Sequence, residues 1–256
     1  MLAELGRRLR AARSPRPAPY PLGEVITEFA RGRPRAVFVQ VGAHDTTQLD
    51  PLARHVRERQ WTGLMIEPVP YVFERLRAAH GGNPRIALEN VAVADRSGTR
   101  TLFYLPESDD EGLPPWYDAL ASFRKDVLLG HTEHIADVAD RVATIDVECA
   151  TFEELCERHG LDKIDVIQID TEGYDHEVLR GIDFARHRPG LVMFEHLHLD
   201  ATTQDASLEL LQGAGYETAS DHMDTVGLHR SELAVAGRRL RERWSRLRAE
   251  AGAARS

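Results

Sequence analysis

Ala36-Val37-Phe38-Val39-Gln40-Val41-Gly42 is the stretch on which the fold turns. Residues 36–41 form a short β-branched and apolar run, the mark of a strand covered on both faces. Gly42 follows at once and lets the chain turn sharply. Working outward, Pro51 can start a helix running to Arg59, and residues 63–67 (Gly-Leu-Met-Ile-Glu) read as a second buried strand. A helix over 71–79 puts Val72, Leu76 and Ala79 on one side. Residues 86–93 read as a third strand, Ser97-Gly98 as a tight turn, and 99–105 as the return arm of a hairpin.

After an interruption the alternation resumes. Residues 145–149 are expected to be extended, 152–159 helical, 165–170 a strand, 174–180 a helix, 191–195 a strand and 203–213 a helix. Residues 216–219 and 225–228 are closing strands. Strands alternating with helices predict an α/β fold of the Rossmann-like, doubly wound kind, with a mostly parallel seven-stranded sheet and helices on both faces. The interruption, residues 106–143, mixes acids, prolines, aromatics and histidines. A long irregular insertion in a compact domain reads as a lid. The domain is expected over 36–236. Before it lies an extension (1–35) with a helix over 1–13, a connector at Pro15, Pro17, Pro19 and Pro21, and a helix over 22–31. After it lies a basic helix or tail (237–256).

The 256 residues suit one such domain, and a formal net charge of −9 argues against nucleic acid as the main partner. The arginine-rich ends read as solvated helix faces; a homo-oligomer is left open. Cys149 and Cys156 are too few for a disulfide framework and read as buried free thiols. No apolar run approaches the ~20 residues that cross a bilayer, and no apolar stretch follows the N-terminal arginines, so no membrane insertion is expected and the cytoplasm is the expected location.

In an open α/β sheet, ligands bind beyond the carboxyl ends of the strands. The residues there are Gly42-Ala43-His44-Asp45, Glu67-Pro68, Asn90-Val91-Ala92, Asp170-Thr171-Glu172-Gly173 and Glu195-His196. A scaffold alone does not need acids at successive strand tips. Glu67 can accept both hydroxyls of a ribose. Asn90, Val91 and Ala92 can meet an adenine edge. Asp170 lies where the reactive end of a bound cofactor would project.

These runs resemble the class I methyltransferases and, in detail, the FkbM family. The matching stretches are 39–45, 63–70, 89–95, 167–175 with Val178-Leu179, and Pro189 through Phe194-Glu195-His196; together they span about 36–216. The Asp170-Thr171-Glu172-Gly173-Tyr174-Asp175 segment is the most specific. The resemblance implies S-adenosylmethionine (SAM) as cofactor, with Gly42, Ala43, His44 and Asp45 against its methionine part and Glu67 and Pro68 at the ribose. Thr171 and Glu172 complete that set. It also implies a small-molecule hydroxyl acceptor, such as a sugar or natural-product scaffold. Two departures stand out: His44-Asp45-Thr46 replaces the usual further glycine, and Gln40 stands where many class I enzymes carry an acid that meets the cofactor ammonium. An NAD-dependent oxidoreductase would also use an acid such as Glu67, but the glycines that let a pyrophosphate approach are missing after Gly42.

A hydroxyl acceptor needs a base or a metal to remove its proton. On an extended 194–198, His196 and His198 share one face and point to the cleft, with His196 the first candidate base and Asp170 beside it. Trp116, Tyr117, Ser122, Phe123, His131 and Glu195 are the candidate acceptor contacts. Asp170, Glu195 and His196 could hold a divalent ion, but no close ligand spacing demands one, so no metal is expected. Nitrogen as acceptor atom and a non-catalytic SAM-binding scaffold are the alternatives.

Overall fold

A computed structural model describes residues 21–45 and 50–254. The expected helix over 1–13, the connector prolines Pro15, Pro17 and Pro19, and Thr46 lie outside the described residues, while Pro21 of the expected connector begins a helix. Helix α1 (Pro21–Arg31) leads into β1 (Val37–Val41), α2 (Ala53–Glu58), β2 (Thr62–Ile66), α3 (Pro70–His80) and β3 (Ile86–Glu89). Further on come α6 (Phe152–Arg158), β8 (Val166–Ile169), α7 (Asp175–Arg180), α8 (Phe184–His187), β9 (Leu191–Glu195), α9 (Ala201–Gly213), β10 (Tyr216–Ser220) and β11 (Asp224–His229). Helices α10 (Arg230–Val235) and α11 (Arg238–Ala254) follow.

The strands form a seven-stranded sheet in the order β10-β11-β9-β8-β1-β2-β3, confirming the doubly wound architecture. Strands β1, β2, β3, β8 and β9 run parallel, while β11 is antiparallel to both its neighbours. Strand order reverses between β1 and β8, and that reversal opens a crevice at their carboxyl ends. Phe38, Val39, Leu64, Met65, Val166, Ile167, Leu191 and Val192 are fully buried or nearly so, because helices cover both faces.

The structure corrects three expectations. Residues 86–93 are not one strand: β3 stops at Glu89 and a separate β4 (Ala92–Val93) joins a second sheet. The return arm, β5 (Gly98–Tyr104), does not pair back on its neighbour across the turn. It pairs antiparallel along its whole length with β7 (Ala143–Ala150), giving the order β4-β7-β5-β6 with β6 (Ala121–Ser122) at the edge. Seven residues of partner on β7 outweigh two on β4. Finally, the insertion is ordered, not irregular. It contains a 3-10 turn (Tyr117–Ala119), β6, α4 (Lys125–Leu129) and α5 (Val138–Arg141), packed around Leu105, Tyr117, Leu120, Leu128, Ile135 and Val138.

The hydrophobic core continues across residues 35 and 236. Leu22, Val25, Ile26, Phe29 and Ala30 of α1 are at most 1% exposed, and they share one cluster with Leu240, Trp244 and Leu247 of α11. The latter recur at helical spacing beneath the arginines, so the basic face is solvated while an apolar stripe is buried. Arg243 pairs with Glu24 and Arg248 with Glu217 across the two edges of that contact. Truncating Trp244 to alanine should destabilise the whole domain by about 3–5 kcal/mol, since its ring is buried and its indole N–H meets Glu217. An unchanged midpoint in denaturant unfolding would show that α11 is only an appendage.

Candidate active site

The crevice at the β1/β8 reversal is a cavity of about 620 Å³, counting the space open at its mouth. Its walls come from the carboxyl ends of four parallel strands. Val41 ends β1, and Gly42 and His44 follow it; Ile66 ends β2, and Glu67 and Pro68 follow it; Val91, Ala92 and Val93 come after β3; Asp170, Thr171, Glu172 and Tyr174 come after β8. Leu102, Ala119, Ala121 and Phe123 close it from the second sheet and the insertion.

Gly42 has φ +73°, and its N–H and that of Ala43 both donate to the Ile66 carbonyl, at 3.0 and 2.9 Å. A Cβ on Gly42 would lie 1.8 Å from the Asp170 carbonyl oxygen, so β1 and β8 approach there as only glycine permits. Ala43 is buried below the turn. Glu67 braces the same turn from β2: one carboxylate oxygen accepts from the His44 N–H at 3.0 Å, the other from the Val69 N–H at 2.9 Å. Burial pushes its pKa up to about 7 against these hydrogen bonds.

His44 adopts φ +48° and sits between Asp45, at 3.1 Å, and Asp118 of the insertion, at 3.5 Å. Burial lowers its pKa, yet Asp118, Asp45 and Glu67 outweigh it and the net shift is upward. Asp118 is held down to about 2, first by the hydrogen bond from His44 and then by Arg75 against the cost of burial. Arg75 also pairs with Glu107. Arg75 and Asp118 therefore fasten the insertion over the first loop. Neither was predicted, and neither carries a local signal, because the partners lie far apart in sequence.

Asn90 donates its side-chain amide to the carbonyls of Glu67, at 2.8 Å, and Pro68, at 3.1 Å. It ties two strand tips together; Val91 and Ala92 form the wall instead. Gln40 is buried inside β1 and hydrogen-bonds Asp50 rather than lining the cavity. Thr171 donates to Asp175 at 3.0 Å, beneath the β8 tip. The Asp170 pKa is raised well above the usual range by burial and by Glu172, Asp175, Asp224 and Glu67.

Phe123 lies edge-on to Tyr174 under the Arg100 guanidinium, 3.9 Å from the ring centre. Trp116 and Tyr117 do not line the cavity: Trp116 packs against His131 and His134, and Tyr117 is buried within the insertion. Ser122 donates to the Glu172 carbonyl at 2.7 Å and accepts from the Arg124 N–H at 3.0 Å, so it fixes the acidic loop.

The shared face for His196 and His198 does not form. Strand β9 ends at Glu195, and the chain turns as the Leu199 N–H donates to the His196 carbonyl. Alternation cannot extend past that turn. His196 Nδ1 lies 3.0 Å from Thr225 Oγ1, in a buried contact with β11. His198 Nε2 lies 2.9 Å from a Glu172 carboxylate oxygen. Neither histidine lines the cavity. Glu195 is buried, with Oε2 unpartnered, and burial together with Glu172 and Asp170 pushes its pKa up to about 12. Among the described residues, potential ligand atoms converge within 4.8 Å in two groups, His131/Glu172/His198 and Asp170/Glu172/Glu195; His196 belongs to neither.

A glycine turn pressed against a strand tip, an acid at the end of the next strand and an apolar slot beyond it suit a nucleoside-bearing cofactor such as SAM. This is the arrangement of a Rossmann-like, SAM-dependent methyltransferase. The model of the FkbM methyltransferase domain matches residues 40–218, and the chain belongs to that family.

Solved structures similar to the chain include a methyltransferase FkbM from Methylobacillus flagellatus KT (15% identity, TM-score 0.48). That match covers 77% of this chain and 44% of the other, so the chain spans less than half its length. A methyltransferase from Geobacter sulfurreducens is 12% identical over 89% of this chain and 88% of its own (TM-score 0.42). Aeropyrum pernix fibrillarin with natively bound S-adenosyl-L-methionine is 11% identical over 75% and 66% (TM-score 0.38). None of the curated proteins compared with the chain matches it. No helix among the described residues is long and apolar enough to cross a membrane.

Proposed function

We propose that the protein transfers the SAM methyl group to a hydroxyl oxygen of a neutral small molecule. The observation that carries this reading is the position of Asp170, on the cavity wall directly against the Gly42 turn. Methyl transfer needs two reactants held at attack distance, and the cofactor supplies the activated group. What the protein must add for a hydroxyl is a proton acceptor near the methyl. Asp170 takes that role here in place of His196, which is turned against Thr225. Among the described residues, the cavity wall includes Glu67, Asp170 and Glu172 but no lysine or arginine, which favours an uncharged polyhydroxylated acceptor over a phosphorylated one.

In this reading Gly42 and His44 face the methionine part, Glu67 the ribose, and Val91, Ala92, Leu102 and Phe123 the adenine and the entrance. The direct test supplies isotopically labelled SAM with matched panels of alcohols, phenols, sugars and amines. Label on oxygen supports the proposal. Label on nitrogen alone, or tight S-adenosylhomocysteine (SAH) binding without transfer, overturns it.

Two binding predictions attach to Glu67. Glu67→Ala should weaken SAH binding by more than about tenfold, the size of a lost charged hydrogen bond. Calorimetric titration reads this directly, and unchanged affinity would remove Glu67 from the ribose. The pH dependence follows from its pKa near 7. Ribose hydroxyls donate to the ionised carboxylate, so SAH affinity should rise from pH 6 to pH 8 and proton release should accompany binding on the acid side. A flat profile would mean that Glu67 does not accept from the ligand.

A further inference from the structure

We propose that His131, Glu172 and His198 form a binding site for one divalent transition-metal ion. The three residues come from separate segments: His131 follows α4 of the insertion, Glu172 stands at the β8 tip, and His198 lies in the turn after β9. Their ligand atoms all fall within 4.8 Å of one another. His131 Nε2 is shielded from solvent and has no hydrogen-bond partner. The two imidazole rings meet edge to face, with centroids 5.4 Å apart, and the Glu172 carboxylate reaches His198 Nε2 at 2.9 Å.

Glu172 is held in place for this. Its backbone is left-handed, with φ +53°, and Ser122 fixes its carbonyl. The adjoining Gly173, at φ +93°, leaves room for no Cβ without pressing on His198 and Val127. The chain thus accepts an unusual conformation that aims one carboxylate between two histidines.

Behind Glu172 stand the carboxylates of Asp170 and Glu195, each with an oxygen within 4.8 Å of the others. Glu195 is 6% exposed and its Oε2 is unpartnered. The nearby cation Arg124 donates to the His198 carbonyl but is matched by Asp126. Acidic side chains thus back the site on the sheet side, and the arginine beside it is already paired. Two imidazoles and one carboxylate suit zinc, manganese, iron or cobalt better than magnesium or calcium, which prefer oxygen alone. An ion there would also join the insertion to the sheet beside the cavity. The proposal does not depend on the identity of the methyl acceptor.

The test uses the full chain, stripped with a chelator and dialysed. Titration with Zn²⁺ and Co²⁺ by calorimetry should give one ion per chain. His131→Ala and His198→Ala should each weaken binding at least about tenfold, as losing a direct ligand costs no less than losing its outer-shell support. His134→Ala should not. Melting temperatures and SAH affinity of the metal-free variants check that they fold. A readout needing no variant is the proton NMR spectrum of the Co²⁺ protein, where two exchangeable, hyperfine-shifted imidazole N–H signals are expected. Absence of binding, absence of those signals, or full affinity in the double histidine variant would overturn the site. So would loss of binding on Glu195→Gln with the histidine variants unaffected, which would place the ion among the carboxylates.

Discussion

Gly42→Ala is expected to abolish SAH binding and to destabilise the fold by at least about 3 kcal/mol. Two costs add. The residue sits at φ +73°, where a side chain is strained in any surroundings. The new methyl would also lie 1.8 Å from the Asp170 carbonyl oxygen and 2.9 Å from its carbon, and both are backbone atoms of a central strand tip. A flexible side chain could swing aside; β8 cannot, because it is bonded to β1 on one side and β9 on the other. Relief must come from parting β1 and β8 at the crevice, the point where the cofactor is proposed to lie. Denaturant unfolding and SAH titration measure the two effects separately. A variant with wild-type stability and affinity would show that the close approach is not what the glycine serves.

Asp170→Asn is expected to lower kcat for methyl transfer about a hundredfold or more while SAH affinity stays within about threefold, the signature of a lost proton acceptor. The change is nearly isosteric and leaves the Asp170 backbone contacts with Gly42 and Val41 in place. Single-turnover transfer from labelled SAM isolates the chemical step from product release. Full activity would remove Asp170 as the base. An equal loss of SAH affinity and rate would make it a binding residue instead. The same experiment on His196→Ala should show little loss of rate, since that ring faces Thr225 and not the cavity.

Much of the scaffold could be read directly from the chain. Buried parallel strands are continuous apolar runs, so 36–41, 63–67, 165–170 and 191–195 were recognisable one by one, and the residue after each marks the carboxyl edge. Gly42, Glu67, Pro68, Ala92, Asp170 and Thr171 were found that way and all line the cavity. Pairing was less legible. Nothing local in Gly98–Tyr104 says that its partner is Ala143–Ala150 across an insertion, because cross-strand contact depends on register reached only after the chain returns. The histidines failed for a related reason: alternation holds only while a strand continues, and β9 stops at Glu195.

The layer architecture, the carboxyl-edge residues and the family are written in the chain locally, because each depends on short runs whose burial or turning is a local property. Which residues meet across the cavity depends instead on how distant segments pack. Asp118 reaches His44, Ser122 holds Glu172, and His131 and His198 converge on that same carboxylate. Each contact joins segments far apart in the chain. A side chain's partners there follow from how the insertion closes over the sheet, and no spacing along the chain encodes that closure.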